Sequence, residues 1–345
     1  MKLAMMILSS VLMIPGCAET APLQPASSSS YLDYRGRDDV LSGGVRMVPV
    51  QTPQGTFRVW TKRVGNNPRI KVLLLHGGPG LTHEYLEAFD SYFPAAEIEY
   101  YYYDQLGSAY SDQPGEAELW DLPRFVGEVE QVRTALGLDR ENFYLYGHSW
   151  GGVLAIEYAL KYPQQLKGLI ISNMVSNTAA VNDYANSAIL PAMGQPAQAQ
   201  IESYEAAGDY DNPNYLELLD QHYFAEYFLR MPLGAWPEPV MRSLRHFNPA
   251  VSVPLLGRSQ LFGGGKLAHW DRSANLKSIV VPTLVIGARH DMMNPEHMKW
   301  MADSIQNARY LYCANGSHMT MYDDQQRYFE GLIEFIRDVD AGVFD

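Results

Sequence analysis

The chain has 345 residues, 47% hydrophobic and 19% charged, an ordinary globular composition that can bury a large core. Its formal net charge is −13 and it holds no run of Lys and Arg, which argues against a phosphate-backbone partner, so nucleic acid is set aside. Acidity is otherwise a matter of solubility and names no substrate.

Lys2 gives a positive start, and Leu3 to Ile14 is an apolar stretch too short to span a bilayer stably. Ile14-Pro15-Gly16-Cys17 then resembles a bacterial lipoprotein lipobox, with Cys17 as the lipidated residue. The alternative is a plain secretory signal cut near Cys17 or Ala21. Either reading exports the chain, to the periplasm or, as a lipoprotein, to the outer membrane of a bacterium. Lipidated Cys17 is the one route to a membrane that this reading offers. Pro22 to Ser30 reads as a flexible tether, so residues 1–30 stand apart as targeting segment and tether. One cysteine remains in the folded part, so no internal disulfide is expected. Cys313 lies in the apolar run Arg309 to Cys313 and reads as a buried small hydrophobe.

Val45 to Val50 and Thr56 to Val64 read as two strands around the Pro53-Gln54-Gly55 turn. Ile70 to Leu75 is a continuous apolar run, as a strand buried on both faces requires, and it stops at His76-Gly77-Gly78-Pro79-Gly80. Ile98 to Tyr103 is a tyrosine-rich strand that stops at Asp104-Gln105-Leu106-Gly107-Ser108. Asp121 to Leu136 has helical spacing, with Phe125, Val129, Val132 and Leu136 on one face. Asn142 to Tyr146 is a further strand. It ends abruptly in Gly147-His148-Ser149-Trp150-Gly151, and a helical stretch from Val153 to Tyr162 follows at once. Strand, G-x-S-x-G, helix is the context of a nucleophile elbow, in which a strained turn projects a serine hydroxyl above the sheet. Leu166 to Ser172 is the next strand.

From Asn173 to about Leu267 no strand pattern appears. Residues 173–267 read as a mostly helical cap, with helices broken by Pro213, Pro232, Pro237 and Pro239. From Pro282 the earlier pattern resumes: strand Leu284 to Gly287, helix Pro295 to Ser304, strand Arg309 to Cys313 and a closing helix Asp323 to Val339. The core is thus expected in two parts, residues 31–172 and 268–345. Strands alternating with helices give an α/β fold, a mostly parallel sheet with helices on both faces and a cap insertion.

A serine hydroxyl needs a base to take its proton, and the base needs an orienting carboxylate. In the α/β-hydrolase order, Ser then acid then His, the strand-end residues are Ser149, Asp291 and His318. Of the nine histidines, only His318 has both the order and the position after a strand. The tetrahedral oxyanion calls for preorganised backbone donors, expected at the N–H groups of Trp150 and Gly78.

His76-Gly-Gly-Pro-Gly80, Asp104-Gln-Leu-Gly-Ser108, Gly147-His-Ser-Trp-Gly-Gly152 and Gly316-Ser-His318 together resemble the proline iminopeptidase family of α/β-hydrolases, from about Val45 to the C-terminus. The resemblance implies a helical cap and a serine triad without cofactor or metal. It also implies a small-molecule or short-peptide substrate, from which an N-terminal proline or small residue is released. The family places glutamates under the cap against the substrate ammonium. Here the matching stretch is Gly257-Arg258-Ser259-Gln260, and Gln260 carries no charge. Glu202, Glu205, Glu217, Glu226 and Glu238 are the candidate replacements, each otherwise a solvated charge. Gln260, Glu226 and Trp236 are taken as substrate-binding residues. Two alternatives stay open: hydrolysis of neutral esters, lactones or N-acyl amides by the same triad, and a non-catalytic binding protein on a hydrolase scaffold. The sequence sets no oligomeric state.

Overall fold

The computed structural model describes residues 30–344; the targeting segment, Cys17 and all but the last residue of the tether lie outside the described residues. Eight strands form one sheet: β1 (Val45–Thr52), β2 (Gly55–Val64), β3 (Lys71–Leu75), β4 (Glu99–Asp104), β5 (Phe143–His148), β6 (Gly168–Ser172), β7 (Thr283–Ala288) and β8 (Ala308–Cys313). Their spatial order is β1-β2-β4-β3-β5-β6-β7-β8. The β1–β2 and β2–β4 pairs are antiparallel, and the rest, from β4 to β8, are parallel.

The parallel strands are buried on both faces, and side-chain alternation divides each between two cores. Leu73, Leu75, Leu145, Leu169, Ile171 and Val285 face one layer, which also holds α1 (Leu122–Ala135), α2 (Trp150–Lys161) and, from the second half of the core, α8 (Pro295–Ser304). Val72, Leu74, Tyr144, Tyr146, Ile170 and Ile286 face the other, with the 3-10 helix His83–Ser91 and the closing helix α10 (Gln325–Ala341). The four tyrosines of β4 are all buried, and each hydroxyl finds a carboxylate: Tyr100 and Tyr102 donate to Asp90, Tyr101 to Glu99 and Tyr103 to Glu128. That satisfaction is what lets so polar a strand lie inside.

Between β6 and β7 the described chain forms no named strand. It runs through α3 (Thr178–Tyr184), α4 (Gln195–Ala207), α5 (Pro213–Leu219), a π-helix (Asp220–Phe228), α6 (Glu238–Arg245) and α7 (Pro249–Leu256). Ile189, Leu190, Ile201, Tyr215, Leu219, Tyr223 and Leu261 give this region a small core of its own. Pro213 and Pro239 do not break helices here but stand in the first turns of α5 and α6. The absent N–H of proline costs nothing there, because first-turn N–H groups have no intrahelical acceptor. The closing helix also differs from its expected bounds. The chain forms a short turn, α9 (Thr320–Asp323), breaks at Asp324 and only then enters α10. The two acids at the break face backwards: Asp323 accepts from Ser317, and Asp324 accepts from the Asn315 N–H at 3.1 Å. They fasten the loop after β8.

Candidate active site

Ser149 joins β5 to α2 at φ 55° and ψ −124°, a region a non-glycine residue occupies only when its surroundings enforce it. The Ser149 N–H donates to the Ser172 carbonyl at 3.0 Å, tying the turn to the end of β6. Close packing does the rest. A Cβ on Gly147 would run into the Gly151 carbonyl, and one on Gly151 into the Leu75 carbonyl.

Asp291 follows β7, His318 follows β8, and both are buried. His318 Nδ1 lies 2.8 Å from Asp291 Oδ1. A carboxylate only accepts, so Nδ1 carries a proton, and in the neutral imidazole Nε2 is then the nitrogen with the lone pair. Asp291 Oδ1 also accepts from the Met293 N–H at 3.0 Å, and Oδ2 from Asn173 Nδ2 at 2.6 Å. Ser149 and His318 line one cavity.

Asn173 was not singled out in the sequence. It sits at φ 54°, fully buried, one residue past β6. Its amide reaches Asp291 and, at 2.9 Å, Thr320 Oγ1. The signal available was its position: a polar residue at a strand's carboxyl end, next in the sheet to the elbow.

Gly78 sits at φ 110° and, like Trp150, lines the cavity. Trp150 opens α2, so its N–H has no intrahelical acceptor. The neighbouring Gly77 N–H is taken, donating to the Tyr85 hydroxyl at 2.6 Å. Tyr85 Oη is 2.9 Å from His148 Nδ1, and His148 Nε2 is 2.9 Å from the His318 carbonyl. The carbonyl accepts only, so His148 carries its proton on Nε2. Burial, with His318 beside it, holds the His148 pKa well below the usual imidazole range, so its Nδ1 is an acceptor. The proton order is therefore fixed: Gly77 N–H to Tyr85, Tyr85 O–H to His148, His148 N–H to His318. This chain joins three strand-end loops.

The Asp104 to Ser108 segment braces the same loops. Gln105 accepts from the Trp150 indole at 2.8 Å and donates to the His76 carbonyl at 3.0 Å. Asp104 Oδ1 accepts from the His83 N–H at 2.9 Å and lies 2.8 Å from its Nδ1.

The cap meets the site through its backbone. The His318 N–H donates to the Tyr227 carbonyl at 2.9 Å, and the Met319 N–H to the Phe228 carbonyl at 2.8 Å. Between cap and sheet lies a cavity of about 570 Å³. Gln260 and Trp236 line it. Glu226 does not; its exposed carboxylate lies 3.6 Å from the Arg230 guanidinium. Glu205 is engaged with Tyr215 and Ser259, and Glu238 with Arg242 and Arg245. Among the described residues, the carboxylate that lines the cavity is Asp220, at the start of the π-helix. Partial burial raises its pKa above the ordinary aspartate value.

Residues 71–325 match the α/β-hydrolase fold family model. The chain is 50% identical over 293 residues to a proline iminopeptidase of Chitinophaga pinensis, covering 85% of this chain and 98% of that one. It is also 50% identical over 301 residues to a proline iminopeptidase of Elizabethkingia meningoseptica, covering 87% and 100%. The chain belongs to the proline iminopeptidase family. It is accordingly a hydrolase of the α/β-hydrolase fold. The crystal structure of the Mycobacterium smegmatis proline iminopeptidase superposes with a TM-score of 0.77 at 25% identity, covering 86% of this chain and 99% of that one.

Proposed function

We propose that the protein is a serine aminopeptidase that releases an N-terminal proline or small residue from short peptides or amino-acid amides. The observation that carries it is a strained Ser149 and an Asp291-paired His318 on one cavity that also holds Asp220, a carboxylate with no partner among the described residues. His318 Nε2 takes the Ser149 proton as Oγ attacks the carbonyl carbon. The oxyanion is met by the N–H groups of Trp150 and Gly78, each such donor being worth about 3 kcal/mol of barrier. His318 then gives the proton to the leaving amine, and water hydrolyses the acyl-enzyme by the same base. Asp291 holds the imidazole tautomer and stabilises the imidazolium. Asp220 supplies the charge that Gln260 lacks and receives the substrate ammonium.

The test uses prolyl p-nitroanilide and its N-acetylated form. A charge-assisted hydrogen bond is worth about 1.5–3 kcal/mol, so Asp220→Asn should lower kcat/KM for the free amine roughly 10- to 150-fold. Ser149→Ala should abolish turnover. If Asp220→Asn cleaves the free amine as well as wild type, the role given to Asp220 falls; if the acetylated substrate is preferred, the amine reading itself falls. The triad would then serve neutral esters or N-acyl amides, the reading that uncharged Gln260 favours. Export belongs to the same proposal. It rests on residues 1–17, and mass spectrometry of the mature N-terminus tests it: an unmodified terminus beyond Cys17 removes the lipid anchor.

A further inference from the structure

The general-acid step requires His318 Nε2 to reach the leaving nitrogen. Whatever packs on the His318 ring therefore borders the leaving group. The Phe228 ring centroid lies 6.0 Å from that of His318, and Trp236 lies 5.4 Å from Phe228. The only side-chain donor of Trp236, its indole N–H, is taken by the Met231 carbonyl at 3.0 Å, so the ring offers an apolar surface. The wall continues through Leu233, Met241 and Leu244. All three line the cavity, yet they stay 40, 37 and 37% exposed. Large apolar side chains gathered at a cavity mouth mark a surface that binds something. The polar end is elsewhere: Asp220 and Gln260, the latter's carbonyl accepting from Tyr223 at 3.1 Å. Among the described residues no Lys or Arg lines the cavity, so none of them there receives the carboxylate of a free dipeptide. At about 570 Å³ the space also falls in the range that takes a drug-sized molecule.

We propose that Phe228, Trp236, Leu233, Met241 and Leu244 form a leaving-group subsite that selects substrates whose second residue is large, apolar and uncharged. This rests on the N-terminal reading above. The bound leaving group lies along α6, and its burial helps to hold the scissile carbonyl against Ser149. Selection appears in acylation, where the leaving nitrogen is still attached.

The experiment measures kcat/KM on the full chain for prolyl-glycinamide, prolyl-phenylalaninamide and free prolyl-phenylalanine. Wild type should favour phenylalaninamide over glycinamide at least about tenfold, the discrimination an apolar pocket typically gives. Free prolyl-phenylalanine should fall at least about fivefold below its amide. Leu244→Asp should bring the phenylalanine-to-glycine ratio below about threefold; Met241→Ser, on the same rim, is the second variant, and melting curves check both folds. A flat wild-type series, or a ratio both variants leave intact, overturns the subsite while the N-terminal reading stands. Turnover of a p-nitrophenyl ester with none of any prolyl amide overturns the N-terminal reading and the subsite with it.

Discussion

Tyr85→Phe removes one oxygen from a fully buried position. That oxygen receives the Gly77 N–H at 2.6 Å and donates to His148 Nδ1 at 2.9 Å. Tyr85, Gly77 and His148 are all buried, so the variant leaves one donor and one acceptor unsatisfied. Each costs about 1–2 kcal/mol, so the fold should lose roughly 2–4 kcal/mol and melt about 4–10 °C lower. The larger effect should be kinetic. Gly77 adjoins Gly78, and His148 adjoins Ser149 and holds the carbonyl of His318. Loosening them misplaces all three reacting loops, for which we expect kcat to drop about 10- to 100-fold with KM within about threefold. Tyr144→Phe is the control, since Tyr144 stands near the amino end of β5, away from the carboxyl ends that carry the site, and its hydroxyl donates to the Ile336 carbonyl at 3.2 Å. It should lose stability and keep kcat. Steady-state kinetics on prolyl p-nitroanilide with paired melting curves decide the matter. A Tyr85→Phe enzyme with wild-type kcat refutes the bridging role. So does one in which KM alone rises, because the hydroxyl would then be a substrate contact.

Asn173→Ala strips Asp291 Oδ2 of the donor at 2.6 Å and should cut kcat about tenfold or more, read by the same assay. The Asp220 pKa is raised by partial burial, so its carboxylate protonates at a higher pH than an ordinary aspartate. The charged form binds the ammonium, so kcat/KM for free-amine substrates should fall as pH drops through that raised value. A bound ammonium stabilises the carboxylate, so kcat should hold to lower pH than kcat/KM. Protonating the base His318 gives an acid limb in both enzymes, so an Asp220→Asn profile with the same shape as wild type would contradict this. Burial pushes the Cys313 thiol up to about 12, so it should resist iodoacetamide at pH 8 in the native protein and react once denatured, as peptide mass spectrometry can show.

The strands were legible because burial on both faces leaves a short apolar run that needs no partner to be recognised; Lys71–Leu75 is the clearest case. The sequence could single out Ser149, Asp291 and His318 because each comes at or a few residues after the end of such a run. What the sequence concealed depends on three-dimensional neighbours. The left-handed backbone of Asn173 and its reach to Asp291 exist only once β6 lies beside β7. The break at Asp324 exists because its carboxylate and that of Asp323 turn back to the His318 loop. Within the cap, Asp220 is one acid among many on helices of mixed pattern. Only the folded π-helix distinguishes its side chain from that of Glu226, six residues on, which pairs with Arg230 outside the cavity.

The two backbone hydrogen bonds from the His318 and Met319 N–H groups to Tyr227 and Phe228 bear on how this scaffold can diversify. A segment that sits over a site through side chains alone can be exchanged like a fitting. Here the insertion's main chain completes the loop that carries the base, and the π-helix runs from that junction back to Asp220 within nine residues. A cap grafted from a relative would have to reproduce this junction, or the base would shift whenever the specificity pocket changed. Evolution at this site is therefore expected to work by side-chain substitution on a fixed cap, with new selectivity arising along the exposed row of α6 and not by wholesale replacement of residues 220–228.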